Sequence, residues 1–208
     1  MANSKADALH KAATFGKLDD AKKLIALGAP LEATDVNRWT PALNAAAHGH
    51  LDVLRLLVEA GANLHALGMR QTDLLELAAG SGNVEMVRYL LERGLPVDGH
   101  WRPPAVANAT VSRIGHDSPL YRATGAAHVE IVRLLLEAGA DRDRMYNGQT
   151  PLALAKERLH DPDEADKQNA YREIIQLLGG AVSTGSTSLE DIKAKITNFA
   201  ATARRPEY

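Results

Sequence analysis

Glycines recur along this chain at one fixed interval. Gly16, Gly49 and Gly82 lie 33 residues apart, and so do Gly28, Gly61 and Gly94. Ala12, Ala45 and Ala78 form a third series with the same spacing. A period of this length marks a small supersecondary unit that cannot bury its apolar face alone and must stack on copies of itself. The chain is therefore expected to form a one-dimensional solenoid rather than a globule around one unique core. The interval breaks once: Gly94 to Gly139 spans 45 residues, so an insertion of about a dozen residues, placed roughly within 101–116, precedes the fourth unit.

The text of one unit says what that unit is. In the second, Thr40-Pro41 provides a side-chain acceptor for orphan amides and then a residue whose missing N–H costs the first helical turn nothing. Ala42, Ala45, Ala46 and Ala47 follow, small enough for neighbouring helices to approach closely. Gly49 suits a left-handed stop. A second helix then carries Val53, Leu54, Leu56 and Leu57 on one face and closes at Gly61. About ten irregular residues lead to the next unit. Composition agrees: 35 Ala and 28 Leu against nine aromatics favour close-packed helices over sheet.

The second unit, Thr40-Pro41-Ala42-Leu43-Asn44-Ala45-Ala46, then His48-Gly49-His50 and Leu51 to Asn63, resembles the ankyrin repeat family, whose consensus runs TPLHxAA, Gly-His, a leucine-rich helix and Gly-Ala-Asp or Gly-Ala-Asn. The fourth unit is similar, with Ser118-Pro119-Leu120-Tyr121 and His128 to Asp141. The first keeps Leu9-His10-Lys11-Ala12-Ala13, the third Leu77-Ala78-Ala79 and Gly82 to Val87, and the fifth opens on Gln149-Thr150-Pro151-Leu152. The resemblance covers roughly 5–180, as repeats at about 5–37, 38–70, 71–100, 117–147 and 148–180. It implies an all-α solenoid of stacked helix pairs joined by β-hairpin-like fingers. It also implies that His10, His50 and His128 are structural, with imidazoles bonded to backbone.

The units differ where structure or function would demand it. The third has Asp73-Leu74 in place of Thr-Pro, and Asp can still cap a helix. The fifth carries extra residues, Leu159 to Ala170, in which Asp161-Pro162 reads as a new helix start with acids in its first turn. Its second helix should run through Tyr171, Ile174, Ile175, Leu177 and Leu178. A Ser/Thr/Gly linker, 181–187, then leads to a C-terminal helix over 188–204 whose apolar stripe is Leu189, Ile192, Ile196, Phe199 and Ala203. That helix either folds back as a cap, or docks on a partner or a second copy.

No catalytic constellation is present. The chain has no Cys, no HExxH, no phosphate-binding glycine loop and no Gly-x-Ser-x-Gly elbow, so no enzyme activity or cofactor is expected. A formal charge of −2 with dispersed Lys and Arg speaks against nucleic acid and anionic membrane. No apolar run is long enough to span a bilayer, and the polar stretch Met1 to Lys11 lacks a signal core, so a cytoplasmic monomer is expected. Glu59, Glu92 and Glu137 recur at one solvated position. His48 and His50 are expected on different sides of their helix junction.

What remains are residues the repeat does not need. By position, the family's partner-facing slots fall on Phe15, His48 and Ser81 at the ends of first helices. In the fingers they fall on Val36, Asn37, Trp39, Met69, Arg70, Met145 and Tyr146. Trp101 and Arg102 open the insertion, which Pro103-Pro104 stiffens. Aromatic, Met and Arg side chains on an exposed face suit a binding hot spot. The expected partner is another protein, bound by a non-enzymatic module acting as an inhibitor, immunity or adaptor protein. A small-ligand, metal-binding or enzyme-accessory role for the insertion, and a structural array without a partner, stay open as alternatives.

Overall fold

The computed structural model describes residues 2–99 and 117–180. The insertion 101–116 with Trp101 and Arg102, the linker 181–187 and the expected helix 188–204 fall outside the described residues. Within them, ten α-helices run as five pairs: α1 (Ala2–Thr14) with α2 (Leu18–Ala26), α3 (Pro41–Ala47) with α4 (Leu51–Glu59), α5 (Leu74–Ser81) with α6 (Val84–Glu92), α7 (Pro119–Gly125) with α8 (Val129–Glu137), and α9 (Pro151–Leu159) with α10 (Gln168–Leu177). The odd-numbered helices stack side by side as an inner layer, and each even-numbered helix lies behind its own partner. α5 packs directly on α7, so the stack continues across the inserted sequence.

The helix starts follow the side chains that open them. Thr40 Oγ1 accepts from Leu43 N at 3.3 Å, Ser118 Oγ from Tyr121 N at 3.1 Å and Thr150 Oγ1 from Ala153 N at 3.2 Å, each with proline in the next position. Asp73 does the same for α5, accepting from Glu76 N at 2.8 Å. Each such cap stabilises its helix by about 1 kcal/mol. The extra residues of the fifth unit form a short 3-10 helix, Pro162–Lys167, opened by Asp161.

The core is built in small increments. Ala12, Ala13, Ala45, Ala46, Ala78, Ala79 and Ala123 are buried where inner helices meet. Leu54, Leu57, Met86, Leu90, Ile131, Leu135, Ile174 and Ile175 fill the space behind them, while Leu56 and Leu177 are half-buried. Glu59, Glu92 and Glu137 are exposed. Two turn glycines are required twice over. Gly16 and Gly82 have φ of +66° and +82°, and a Cβ on either would lie 2.6 or 2.8 Å from the ring of His50 or His128. Those rings reach back to the preceding unit, His50 Nε2 to Thr14 O at 3.0 Å and His128 Nε2 to Gly80 O at 3.2 Å. The fourth unit has Ala127 in this slot, at φ 62°.

The fingers are loops held by tight turns. Among the described residues no strand forms, and the nearest approach to a hairpin is an isolated bridge between Tyr146 and Gln149. It closes over Asn147-Gly148, both at positive φ, which is the residue pair a type I′ turn prefers.

Candidate partner-binding face

The first finger turns at Asp35. Its Oδ1 accepts from the amides of Asn37 (2.8 Å) and Trp39 (2.9 Å), and Oδ2 accepts from Asn44 Nδ2 (3.1 Å). Burial alone would raise this carboxyl, but the amides of Trp39 and Asn37 and the Asn44 side chain outweigh it and hold it below the ordinary aspartate value. The turn leaves Val36 90% exposed. The second finger folds back through Gly68 N to Thr72 O at 2.9 Å, with Met69, Arg70 and Gln71 exposed at its tip. Met69 N donates to Asn37 O at 3.2 Å and ties the two tips together. In the fourth finger Met145 is 63% exposed, and Tyr146 lies against Tyr121 with ring centroids 5.0 Å apart.

Trp39 is half-buried and has two contacts. It lies against the second finger, where a Cβ on Gly68 would come within 2.5 Å of the indole, and it walls a groove of about 600 Å³ along the inner helices. His48, Glu76, Tyr121, Arg122 and Arg158 also line that groove. On its floor Arg122 Nη2 donates to Glu76 Oε1 at 2.7 Å and lies 3.3 Å from Asp117 Oδ2. Burial pushes the Glu76 carboxyl up to about 7; the Arg122 guanidinium opposes the rise, while Asp117 and Asp73 add to it. Among the described residues, Asp117 Oδ1 and Arg122 Nε are buried without a hydrogen-bond partner. At the far end Arg158 pairs with Glu164 at 2.7 Å, and Glu164 also holds Lys167 at 2.9 Å and the Tyr171 hydroxyl at 3.0 Å.

The residues singled out by repeat position thus divide. Val36, Asn37, Met69, Arg70 and Met145 stand exposed on finger tips, and Phe15 is 67% exposed at the end of α1. His48 is exposed on the groove wall. Ser81 is half-buried, its hydroxyl tied to Ala78 O at 2.9 Å. His48 and His50 do not diverge as expected: their rings stack with centroids 6.3 Å apart, because the turn at Gly49 brings both onto one side. His10, His50 and His128 bond to backbone carbonyls as the family resemblance implied. His10 Nδ1 also faces Asn44 Nδ2 at 3.0 Å, so Nδ1 accepts and Nε2 carries the proton donated to Ala33 O.

Repeat position missed Glu76, Asp117, Tyr121, Arg122 and Arg158. The signal was present: Glu76 and Tyr121 occupy the slot where the first unit has His10 and the second Leu43. A charge in a buried repeat slot needs a partner, and the next unit supplies Arg122.

Among the described residues no group of three or more His, Asp and Glu could hold a metal ion, and no helix is long and apolar enough to cross a membrane. No curated protein matches the chain closely enough to count. A family model of three ankyrin-repeat copies matches residues 8–99, and a second model of many copies matches 74–136. Ankyrin repeats are in general modules for binding other proteins. With the repeat interval, the stacked helix pairs and these two overlapping matches in agreement, the chain belongs to the ankyrin repeat family.

Proposed function

We propose that this chain is a non-enzymatic interaction module that holds a folded protein partner against its finger tips and inner groove. The insertion 101–116 takes part in that binding, and the outcome is inhibition, neutralisation or adaptor work by a cytoplasmic monomer. One observation carries the reading. Of the five large apolar side chains left exposed among the described residues, Phe15, Val36, Met69 and Met145 sit on finger tips or at an inner-helix end, and Leu27 lies elsewhere. Isolated exposed apolar residues are ordinary, but three of them on finger tips of a stacked scaffold are not. The stacked units preform that face, which lowers the ordering cost of binding.

The test is affinity capture from the native cell with three proteins: the wild type, a V36S/M69S/M145S variant and a chain lacking residues 102–114. Circular dichroism should show that all three keep their helices. A partner retained by the wild type and lost from both variants is expected. Equal capture by all three would refute the proposed face.

A further inference from the structure

We propose that the tips of the first two fingers form one apolar, cationic patch that docks an acidic segment of the partner, with carboxylates flanking an apolar residue. This deepens the function proposed above and rests on it. The two tips are one unit because Met69 N bonds Asn37 O. Together they present Val36 (90% exposed) and Met69 (48% exposed) beside the exposed side chains of Arg38 and Arg70. Among the described residues neither guanidinium has an ion-pair partner.

The acids of these two fingers do not offset the two arginines at the rim. Asp35 is turned inward onto three N–H donors, and Glu32 Oε1 accepts from Asn63 N at 2.8 Å, at the finger base. The chain as a whole is negative, so this rim departs from the average surface.

Backbone conformation gives an independent argument. Arg38, Arg70 and Gln71 have φ of 57°, 59° and 62°, the left-handed region that side-chain-bearing residues avoid. Glycine or asparagine holds such turns at lower conformational cost, and the fourth finger uses Asn147-Gly148. Fold stability therefore does not account for arginine at these positions. Strained backbone of this kind concentrates at ligand-contacting sites. The apolar pair Val36 and Met69, with the one ring of these two fingers, Trp39, half-buried against Gly68, favours a protein segment over nucleic acid.

The chain contains its own reporters. Its four methionines are Met1, Met69 at the patch, Met145 on the fourth finger and Met86 in the core. The full chain carrying 13C-methyl methionine is titrated with a short amphipathic peptide of Glu and Leu, with the same pattern in Lys and Leu, and with a short DNA duplex. The Glu–Leu peptide should shift the Met69 methyl saturably, leave Met86 and Met145 in place, and weaken as salt is raised. R38G and R70G should each lower its affinity by about two- to five-fold. Both should melt at or above the wild-type temperature, since glycine accepts positive φ freely, so weaker binding would not reflect unfolding. A Lys–Leu peptide or duplex that moves Met69 as strongly overturns the proposal, and so does unchanged affinity in both variants. A response at Met145 alone, or at no methionine, also overturns the patch, while the capture experiment decides the wider function separately.

Discussion

Glu76 should make this protein less stable as pH rises through neutrality. Its side chain is 5% exposed, and its carboxyl is pushed up to about 7 from the 4.5 of an ordinary glutamate. The folded state therefore binds this proton more tightly than the unfolded chain does. At about 1.4 kcal/mol per pH unit, the difference amounts to about 3 kcal/mol. The sign follows directly. Below 4.5 both states are protonated and the full stability is present; between 4.5 and 7 only the folded state keeps the proton, and stability falls; above 7 the loss is complete. Solvent screening reduces this little, because the group is almost fully enclosed. Glu76→Gln imitates the protonated side chain at every pH. It should match the wild type near pH 4.5 and exceed it by about 3 kcal/mol at pH 8, although it removes an ion pair. Urea denaturation of both proteins at pH 4.5, 6, 7 and 8 measures the difference, in which the titrating groups not coupled to Glu76 cancel. A difference that does not change with pH, or an E76Q variant less stable at pH 8, would refute the reasoning.

Four further substitutions probe the scaffold. Gly16→Ala should cost about 3 kcal/mol and Gly28→Ala about 1 kcal/mol, because both have positive φ but only Gly16 would drive a Cβ into the His50 ring; equal losses in chemical denaturation would show that the His50 contact is unimportant. Ala127→Gly should stabilise by about 0.5–1 kcal/mol by relieving φ 62°, seen as a raised melting temperature. Tyr171→Phe should lose about 1–2 kcal/mol in the same assay, since the buried hydroxyl lies 3.1 Å from Gly125 O and 3.0 Å from Glu164.

The scaffold was legible because its causes are local. Thr40-Pro41, Ser118-Pro119 and Thr150-Pro151 open helices through bonds to residues three positions on, and Asp73 does so without proline. The glycines stop helices through their own φ. The exposed tips could be read for a related reason: Val36, Met69 and Met145 are apolar where the period requires nothing apolar, so each stands out against its own unit. Trp39 was legible only in part. Its position marked it as partner-facing, but its contact with Gly68 crosses from one finger to the next, and no spacing within a single unit records that.

The groove lay beyond a repeat-by-repeat reading for the same physical reason, and its construction shows why. Arg122 Nη2 meets Glu76 across 46 residues, a separation set by one repeat, an insertion and one step along the helix. The guanidinium reaches Glu76 because the aliphatic stem of Arg122 lies along α5 at Gly80, where a Cβ would come within 3.0 Å of Arg122 Cγ. Three departures from the repeat text are therefore one device: an acid in a buried slot, an arginine one unit later, and a glycine where the second unit has Ala47. Taken singly, each looks like drift in an inner helix. Taken together, they place an enclosed carboxyl that titrates near neutrality in the groove walled by Trp39 and His48. Any partner group that enters there meets a charge set by pH, so the chemistry of this face is decided between units while the fold is decided within them.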